Sequence, residues 1–220
     1  MSGGSGPGPG RVVLIDYGSG NLRSAEKALQ AAAAEQPGAT EIVTSGDPEV
    51  VRMAERVVLP GVGAFRACMD ALHAREGLVE AMTEAVHTRG APFLGVCVGM
   101  QLLATRGLEF GEARGLDWIA GEVRPLDPAS PAAKVPHMGW NAIRPETPHA
   151  LIRDGEEDLY FTHSYAFAPD DAAAVTASVD HGGRFAAAVA KGNVAGVQFH
   201  PEKSQRAGLE LIGRFLRWEP

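Results

Sequence analysis

Two short stretches of this chain hold residue types suited to nucleophilic chemistry. Gly95-Val96-Cys97-Val98-Gly99 lies where an apolar run gives way to a helical pattern. The arrangement is glycine, any residue, nucleophile, any residue, glycine, with sulfur in place of a hydroxyl oxygen. A nucleophile at such an elbow sits on a strained turn, so its neighbours must be small. The helix that follows directs N–H groups and its positive dipole end at the sulfur, which favours the attacking thiolate. Taken alone, the same residues are also compatible with a cysteine simply buried in a sheet. His200-Pro201-Glu202 lies just past the apolar run Val194–Phe199. Residues two apart in extended chain share a face, so His200 and Glu202 can point together, and Pro201 ends the strand. A carboxylate that fixes an imidazole tautomer, beside an imidazole that takes and returns a proton, is the logic of a triad. Alone, this tripeptide reads more readily as a surface turn with chance charges. A mid-chain cysteine elbow and a late His-Pro-Glu together predict a Cys97–His200–Glu202 triad.

Other stretches are weighed against these. Pro60-Gly61-Val62-Gly63 falls at the carboxyl end of a predicted strand, where open α/β sheets bind ligands. Its glycines leave backbone N–H groups free to approach a developing oxyanion, as does the N–H that follows Cys97. An ordinary strand–helix turn is the alternative there. Asp16-Tyr17-Gly18-Ser19-Gly20-Asn21 looks at first like a nucleotide loop. It has Arg23 where a third glycine is required and no Walker lysine, so phosphate binding is not expected. Cys68, among Ala and Met neighbours, reads as inert core. The seven histidines show no metal-ligand spacing, so no metal is expected.

The elements that must position these residues follow from periodicity. Val12–Ile15, Glu41–Thr44, Val57–Leu59 and Pro92–Val96 read as buried strands. Between and after them come helices over Leu22–Ala34, from Asp47-Pro48, near Phe65–Leu72, over Gly77–Thr88 and over Met100–Ala104. This alternation predicts an α/β fold with a doubly wound, mostly parallel sheet covered on both faces. The second half reads as strands near Glu122–Arg124, Gly139–Ile143, Leu159–Phe167, Val175–Val179, Phe185–Ala190 and Val194–Phe199, expected as antiparallel additions to the sheet. An amphipathic helix over Gln205–Trp218 closes the chain.

The 220 residues are read as one domain over 11–220, preceded by a flexible Gly/Pro-rich tail at 1–10. With a formal net charge of −7, the chain lacks the basic footprint of a nucleic-acid binder. No apolar run approaches a membrane span, and Met1–Gly10 has neither the basic nor the apolar part of a secretory signal. Two cysteines are too few for a disulfide framework, so a reducing, cytoplasmic setting is expected.

Gly95-Val-Cys97-Val-Gly99-Met-Gln101 together with His200-Pro-Glu202 resembles the class I, triad-type glutamine amidotransferases. Four further stretches narrow the resemblance: Asp16–Leu22, Pro60–Gly63, Val135-Pro-His-Met-Gly-Trp-Asn141 and Thr162-His-Ser-Tyr165. They are similar to the glutaminase subunits of imidazole glycerol phosphate synthases, from about Arg11 to the C-terminus. Val98 departs from the family's usual Leu, and the tail has no counterpart.

The resemblance implies that Cys97 attacks the side-chain amide of glutamine and forms a thioester, with His200 as base and then acid and Glu202 orienting it. It implies that Gly61, Gln101, Glu109, His163, Ser164 and Tyr165 contact the substrate, and that Val62, Gly63 and Val98 offer oxyanion-hole N–H groups. It implies no cofactor and a partner, a cyclase subunit with a (β/α)8 barrel, met by Asn21, Trp140 and Lys203. Ammonia would pass to that partner, which makes imidazole glycerol phosphate and AICAR in histidine biosynthesis. Glutaminase turnover would be coupled to occupancy of the partner's site. Trp140 as core and Lys203 as solvated surface stay open beside the partner reading. Two alternatives remain for the whole chain: the glutaminase subunit of another amidotransferase, or a non-catalytic binding subunit of the same fold.

Overall fold

The computed structural model describes residues 10–38, 40–130 and 132–220. The tail expected at 1–10 lies outside the described residues except for Gly10, which already belongs to the first strand. The first half alternates as the periodicity requires: β1 (Gly10–Ile15), α1 (Leu22–Ala34), β2 (Thr40–Ser45), α2 (Pro48–Arg52), β3 (Arg56–Gly61), α3 (Phe65–His73), α4 (Leu78–Thr83), β4 (Phe93–Cys97) and α5 (Val98–Gln101). The second half is β5 (Arg106–Gly107), β6 (Ala113–Arg114), β7 (Gly121–Pro125), β8 (His137–Pro145), β9 (Glu157–His163), β10 (Tyr165–Pro169), β11 (Val175–Asp180), β12 (Arg184–Lys191), β13 (Val194–Val197) and α6 (Gln205–Arg217).

Nine strands form one sheet in the order β2-β1-β3-β4-β13-β12-β11-β8-β9. The pairs from β2 to β13 are parallel and those from β13 to β9 antiparallel. β1 shows why both faces must be covered. Val13 and Ile15 join a core with α3, α4 and α5, while Val12 and Leu14 join another with α1 and α6. All four are at most 1% exposed. Burying each such side chain stabilises the fold by about 1.5–3 kcal/mol.

Three expectations need correction. The run Leu159–Phe167 is two strands, broken at Ser164: β9 edges the large sheet, while β10 pairs with β7 in a second sheet ordered β10-β7-β5-β6. Not every late strand therefore extends the large sheet. The Ser164 carbonyl accepts a hydrogen bond from the Leu126 N–H, and this draws the chain out of the first sheet. The helix expected over Gly77–Thr88 is α4 followed by a π-helical turn over Glu84–Thr88. The helix expected over Met100–Ala104 begins earlier, at Val98, directly after the nucleophile, and ends at Gln101.

Glycines allow β4, α5 and β3 to approach one another. A Cβ on Gly99 would lie 2.0 Å from the Leu59 carbonyl oxygen, and one on Gly95 would lie 2.5 Å from that of Gly99. The clashing atoms are backbone, so no side chain can swing away. Gly99→Ala is expected to cost about 3 kcal/mol, at the upper end of ordinary overpacking. The midpoint of urea unfolding reads this directly, and an unchanged midpoint would contradict the packing described.

Candidate active site

The nucleophile candidate stands at the top of β4. Cys97 has φ 55° and ψ −113°, outside the regions open to L-residues without strain. It is 5% exposed, and its neighbour in α5 is Val98, whose N–H lies in the helix's first turn. Register places Cys97 beside Gly61 of β3, while β13 brings the later motif alongside through Val197, paired with Val96.

His200 and Glu202 arrive on a turn just past β13. Three contacts fix that turn. The His200 N–H donates to the Tyr160 carbonyl of β9 at 2.9 Å, and the Ser204 hydroxyl donates to the His200 carbonyl at 2.7 Å. From below, α6 packs so closely that a Cβ on Gly208 would lie 1.9 Å from the Pro201 carbonyl oxygen. His200 Nδ1 lies 2.8 Å from Glu202 Oε1, with both side chains almost fully buried. The carboxylate accepts, so Nδ1 carries a hydrogen and Nε2 is left for proton exchange. Among the described residues, Nε2 is buried with no partner of hydrogen-bond geometry. A buried polar atom without a partner calls for an explanation, and proton transfer to an incoming group supplies one. Burial pulls the His200 imidazole down, but the Cys97 sulfur and the Glu202 carboxylate outweigh it and lift it to about 9.

Cys97, His200, Gln101, Glu109, His163, Ser164, Tyr165, Val62, Gly63, Val98 and Lys203 line one cavity of about 380 Å³, together with Pro136 and Thr162. This is within the range of small-molecule sites, about 300–1,000 Å³. The expected site residues therefore converge, with four exceptions. Gly61 and Asn21 line an adjoining, largely apolar cleft that shares Val62 and His200 with the first. Glu202, behind the His200 ring, lines only that cleft, and Trp140 lines neither. Asn21 does precede α1, but its side chain makes no capping hydrogen bond. Trp140 is 49% exposed, so it is not core, and Met138 beside it on β8 is 64% exposed. The Lys203 ammonium lies 5.9 Å from the centre of the Tyr160 ring.

The cavity walls have assigned hydrogen-bonding roles. Glu109 Oε2 accepts the Phe65 N–H at the start of α3 at 2.8 Å, which fixes this carboxylate at the cavity wall. The loop that resembled a nucleotide site instead clamps the end of β3. Tyr17 donates to the Pro60 carbonyl at 2.8 Å, and Ser19 donates to that of Val62 at 2.9 Å. The buried Cys68 thiol also reaches the Val62 carbonyl, at 3.3 Å. Burial, then the Cys68 thiol, push the Tyr17 hydroxyl above its ordinary range.

Sequence reasoning missed His137 and Gln198. His163 Nδ1 faces the Tyr165 carbonyl at 2.9 Å, and His163 Nε2 lies 3.0 Å from His137 Nδ1. Because the carbonyl only accepts, His163 carries its hydrogen on Nδ1, and His137 Nδ1 must donate to His163 Nε2. His137 Nε2 then accepts from the Asn141 amide at 3.2 Å. Both His163 nitrogens are thus committed to the protein. Burial, then neighbouring imidazoles, depress His137 to about 3. Burial is also the main cause that lowers His163, to about 4, the Tyr165 carbonyl opposing it.

This pair predicts acid sensitivity. Both rings ordinarily titrate at 6.5, so the unfolded chain takes up protons that the folded pair refuses. Their contribution to stability is present above about 6.5 and is lost as pH falls toward 4. Urea midpoints measured across that window should fall in the parent and fall less steeply in His137→Gln. Equal slopes would contradict the assignment.

Comparison with known proteins identifies the family. The model of the family "Glutamine amidotransferase class-I" matches residues 13–217. The chain belongs to the class I glutamine amidotransferase family. It is 58% identical over 212 residues to imidazole glycerol phosphate synthase subunit HisH of Caulobacter vibrioides, covering 95% of this chain and 99% of that one. It is 54% identical over 213 residues to the subunit of the same name from Rhodospirillum rubrum, covering 96% and 100%. The fold is shared with a crystallised glutamine amidotransferase at TM-score 0.67 and 18% identity, covering 91% of this chain and 98% of the other. One from Thermotoga maritima gives TM-score 0.57 at 16% identity, covering 90% and 78%. Among the described residues, no helix is long and apolar enough to cross a membrane, and no cluster of three His, Cys, Asp or Glu could hold a metal ion.

Proposed function

We propose that this chain is the glutaminase subunit of an imidazole glycerol phosphate synthase, working in the cytoplasm. It hydrolyses glutamine to glutamate and ammonia and hands the ammonia to a cyclase subunit built on a (β/α)8 barrel. The cyclase uses it to make imidazole glycerol phosphate and AICAR. The observation that carries this reading is the convergence in one cavity of a strained, nearly buried Cys97 and the unpartnered His200 Nε2, with Glu202 on the opposite ring nitrogen. The match to the class I glutamine amidotransferase family and the identity to HisH subunits over nearly the whole chain support glutamine as the substrate.

The steps follow from these positions. The Cys97 proton passes to His200 Nε2, leaving a thiolate and an imidazolium that Glu202 stabilises. The sulfur bonds to the carboxamide carbon, and the carbonyl oxygen takes the negative charge. N–H groups of Val62, Gly63 and Val98 are the donors suited to receive it. The C–N bond breaks as His200 Nε2–H protonates the leaving nitrogen, which departs as ammonia and leaves a thioester. Water then attacks, giving its proton to His200, and the C–S bond breaks to release glutamate and restore the thiol. Gln101, Glu109, Ser164 and Tyr165 hold the substrate from the cavity wall, with the Glu109 carboxylate suited to its ammonium; His163, its ring nitrogens already taken, contributes through its backbone, and Gly61 through its position beside Cys97. Asn21, Trp140 and Lys203 face the partner, consistent with the exposure of Trp140.

The test is co-purification with the barrel subunit, followed by a glutaminase assay of the free chain, the complex, and the complex with the cyclase ligand bound. Ammonia release that rises on assembly and again on loading supports the proposal. Release indifferent to the barrel would point to a free-standing cysteine hydrolase. No release in any state, with a thiol silent to a glutamine-mimicking electrophile, would leave only a binding subunit.

A further inference from the structure

Gln198 is fully buried at 0% exposure, just after β13 and two residues before His200. Its side chain bridges two members of the site. Its Oε1 accepts from Gln101 Nε2 at 3.0 Å, and its Nε2 lies 3.8 Å from Cys97 Sγ in hydrogen-bond geometry. Which end of the amide meets the sulfur is settled by a chain of acceptors. The Tyr165 carbonyl can only accept, and it lies 3.0 Å from Gln101, so Gln101 must turn its nitrogen that way. That same nitrogen then meets Gln198, so Gln198 must present its oxygen to Gln101. The remaining end, an NH2, faces Cys97. The reverse orientation would set two donors against each other at one end and a carbonyl oxygen against a thiolate at the other.

We propose that Gln198 is a further catalytic residue, donating a side-chain N–H to the Cys97 sulfur and stabilising it as thiolate before substrate arrives. The proposal rests on the reading of Cys97 as the nucleophile, but not on glutamine as its substrate. A hydrogen bond to an ionised acceptor is about twice as strong as one to a neutral acceptor, so the N–H favours the thiolate over the thiol. Gln198 is also held by its own backbone, whose N–H donates to the Ala187 carbonyl at 2.8 Å. The donor is therefore in place in the free chain. Gln101 has a second duty on this account: besides lining the cavity, it aims the amide.

The experiment is alkylation of Cys97 by iodoacetamide, a small neutral probe, in the free full-length chain across a range of pH. Gln198→Met keeps the volume and removes the donor. The expected result is a rate at neutral pH lowered about three- to tenfold, with the rate–pH curve displaced to higher pH. A rate and curve equal to the parent's overturn the proposal, as does a uniform loss of rate without displacement, which is what simple misplacement of the sulfur would give. Should Gln198→Met fail to fold, the parent protein with 15N-labelled glutamine side chains decides. One buried side-chain NH2 pair should shift on alkylation of Cys97 and on raising the pH, and show no pH response in Cys97→Ser. Absence of any responding amide overturns the proposal. A glutaminase failure beside a displaced alkylation curve would refute the substrate and leave the role of Gln198 standing.

Discussion

Cys97→Ser removes ammonia release from glutamine, by about 10⁴-fold or more, in line with the loss of a nucleophile from other triads. The variant keeps its fold, because the change is one atom at a position whose neighbours are unchanged. A serine hydroxyl is a far weaker acid than a thiol, so the imidazole that suffices for sulfur leaves the oxygen protonated. The surroundings also fit sulfur: Gln198 Nε2 is 3.8 Å from Sγ, a hydrogen bond to sulfur but too long for one to oxygen. Where the barrel subunit is present and free ammonia is supplied, synthase turnover by the complex should persist, since the reaction on the partner needs only the nitrogen. Parallel assays of glutamate release and of ammonia-fed product formation check both halves. Loss of both would mean that the substitution had broken assembly.

Glu202→Gln should lower glutaminase turnover by about 10³–10⁴-fold, close to what the equivalent acid-to-amide change costs a serine-protease triad. The 2.8 Å contact to His200 Nδ1 sets which nitrogen carries the hydrogen and how the ring is turned. A neutral amide can donate as well as accept, so it permits the wrong tautomer. The charge matters as well. His200 stands at about 9 because the sulfur and the carboxylate outweigh burial, and without the carboxylate it falls. An NMR titration of His200 should therefore show its transition at lower pH in the variant, and the alkaline limit of activity should move down with it. Stability follows the same sign. The raised His200 contributes stability that is present below about 6.5 and is lost as pH climbs through about 9. Glu202→Gln should remove much of that dependence. An unchanged His200 titration would show that Glu202 acts by packing alone.

How much could be read in advance depended on the range of the interactions. The elbow was legible because its constraints are local: glycines at 95 and 99 answer to backbone atoms that any strand–turn–helix of this kind brings close. His200 and Glu202 were legible as a pair, but the extended chain expected to align them is not what does so: the strand ends at Val197, and a 3-10 turn over Pro201–Lys203 folds Glu202 back onto the ring. The doubly wound sheet was legible because four consecutive apolar residues in β1 have no solvent face to use. Gln198 lies two residues before His200, and a polar residue inside the run Val194–Phe199 was a signal available and not taken up. His137 carried no such signal. It meets His163 only through the antiparallel register of β8 with β9, where His137 pairs with His163 itself. The break at Ser164 was hidden because β10 continues the apolar pattern of β9 while changing partners, and pattern records burial without recording which sheet provides it.

The proposed chemistry turns on Cys97 accepting the acyl group of glutamine. Acid-quenched turnover of carbon-labelled glutamine, followed by peptide mass spectrometry, tests it most directly. Label should be held as a thioester on the peptide containing Cys97, released by hydroxylamine and absent from Cys97→Ser. Ammonia and glutamate formed at full rate with no label on that cysteine would contradict it.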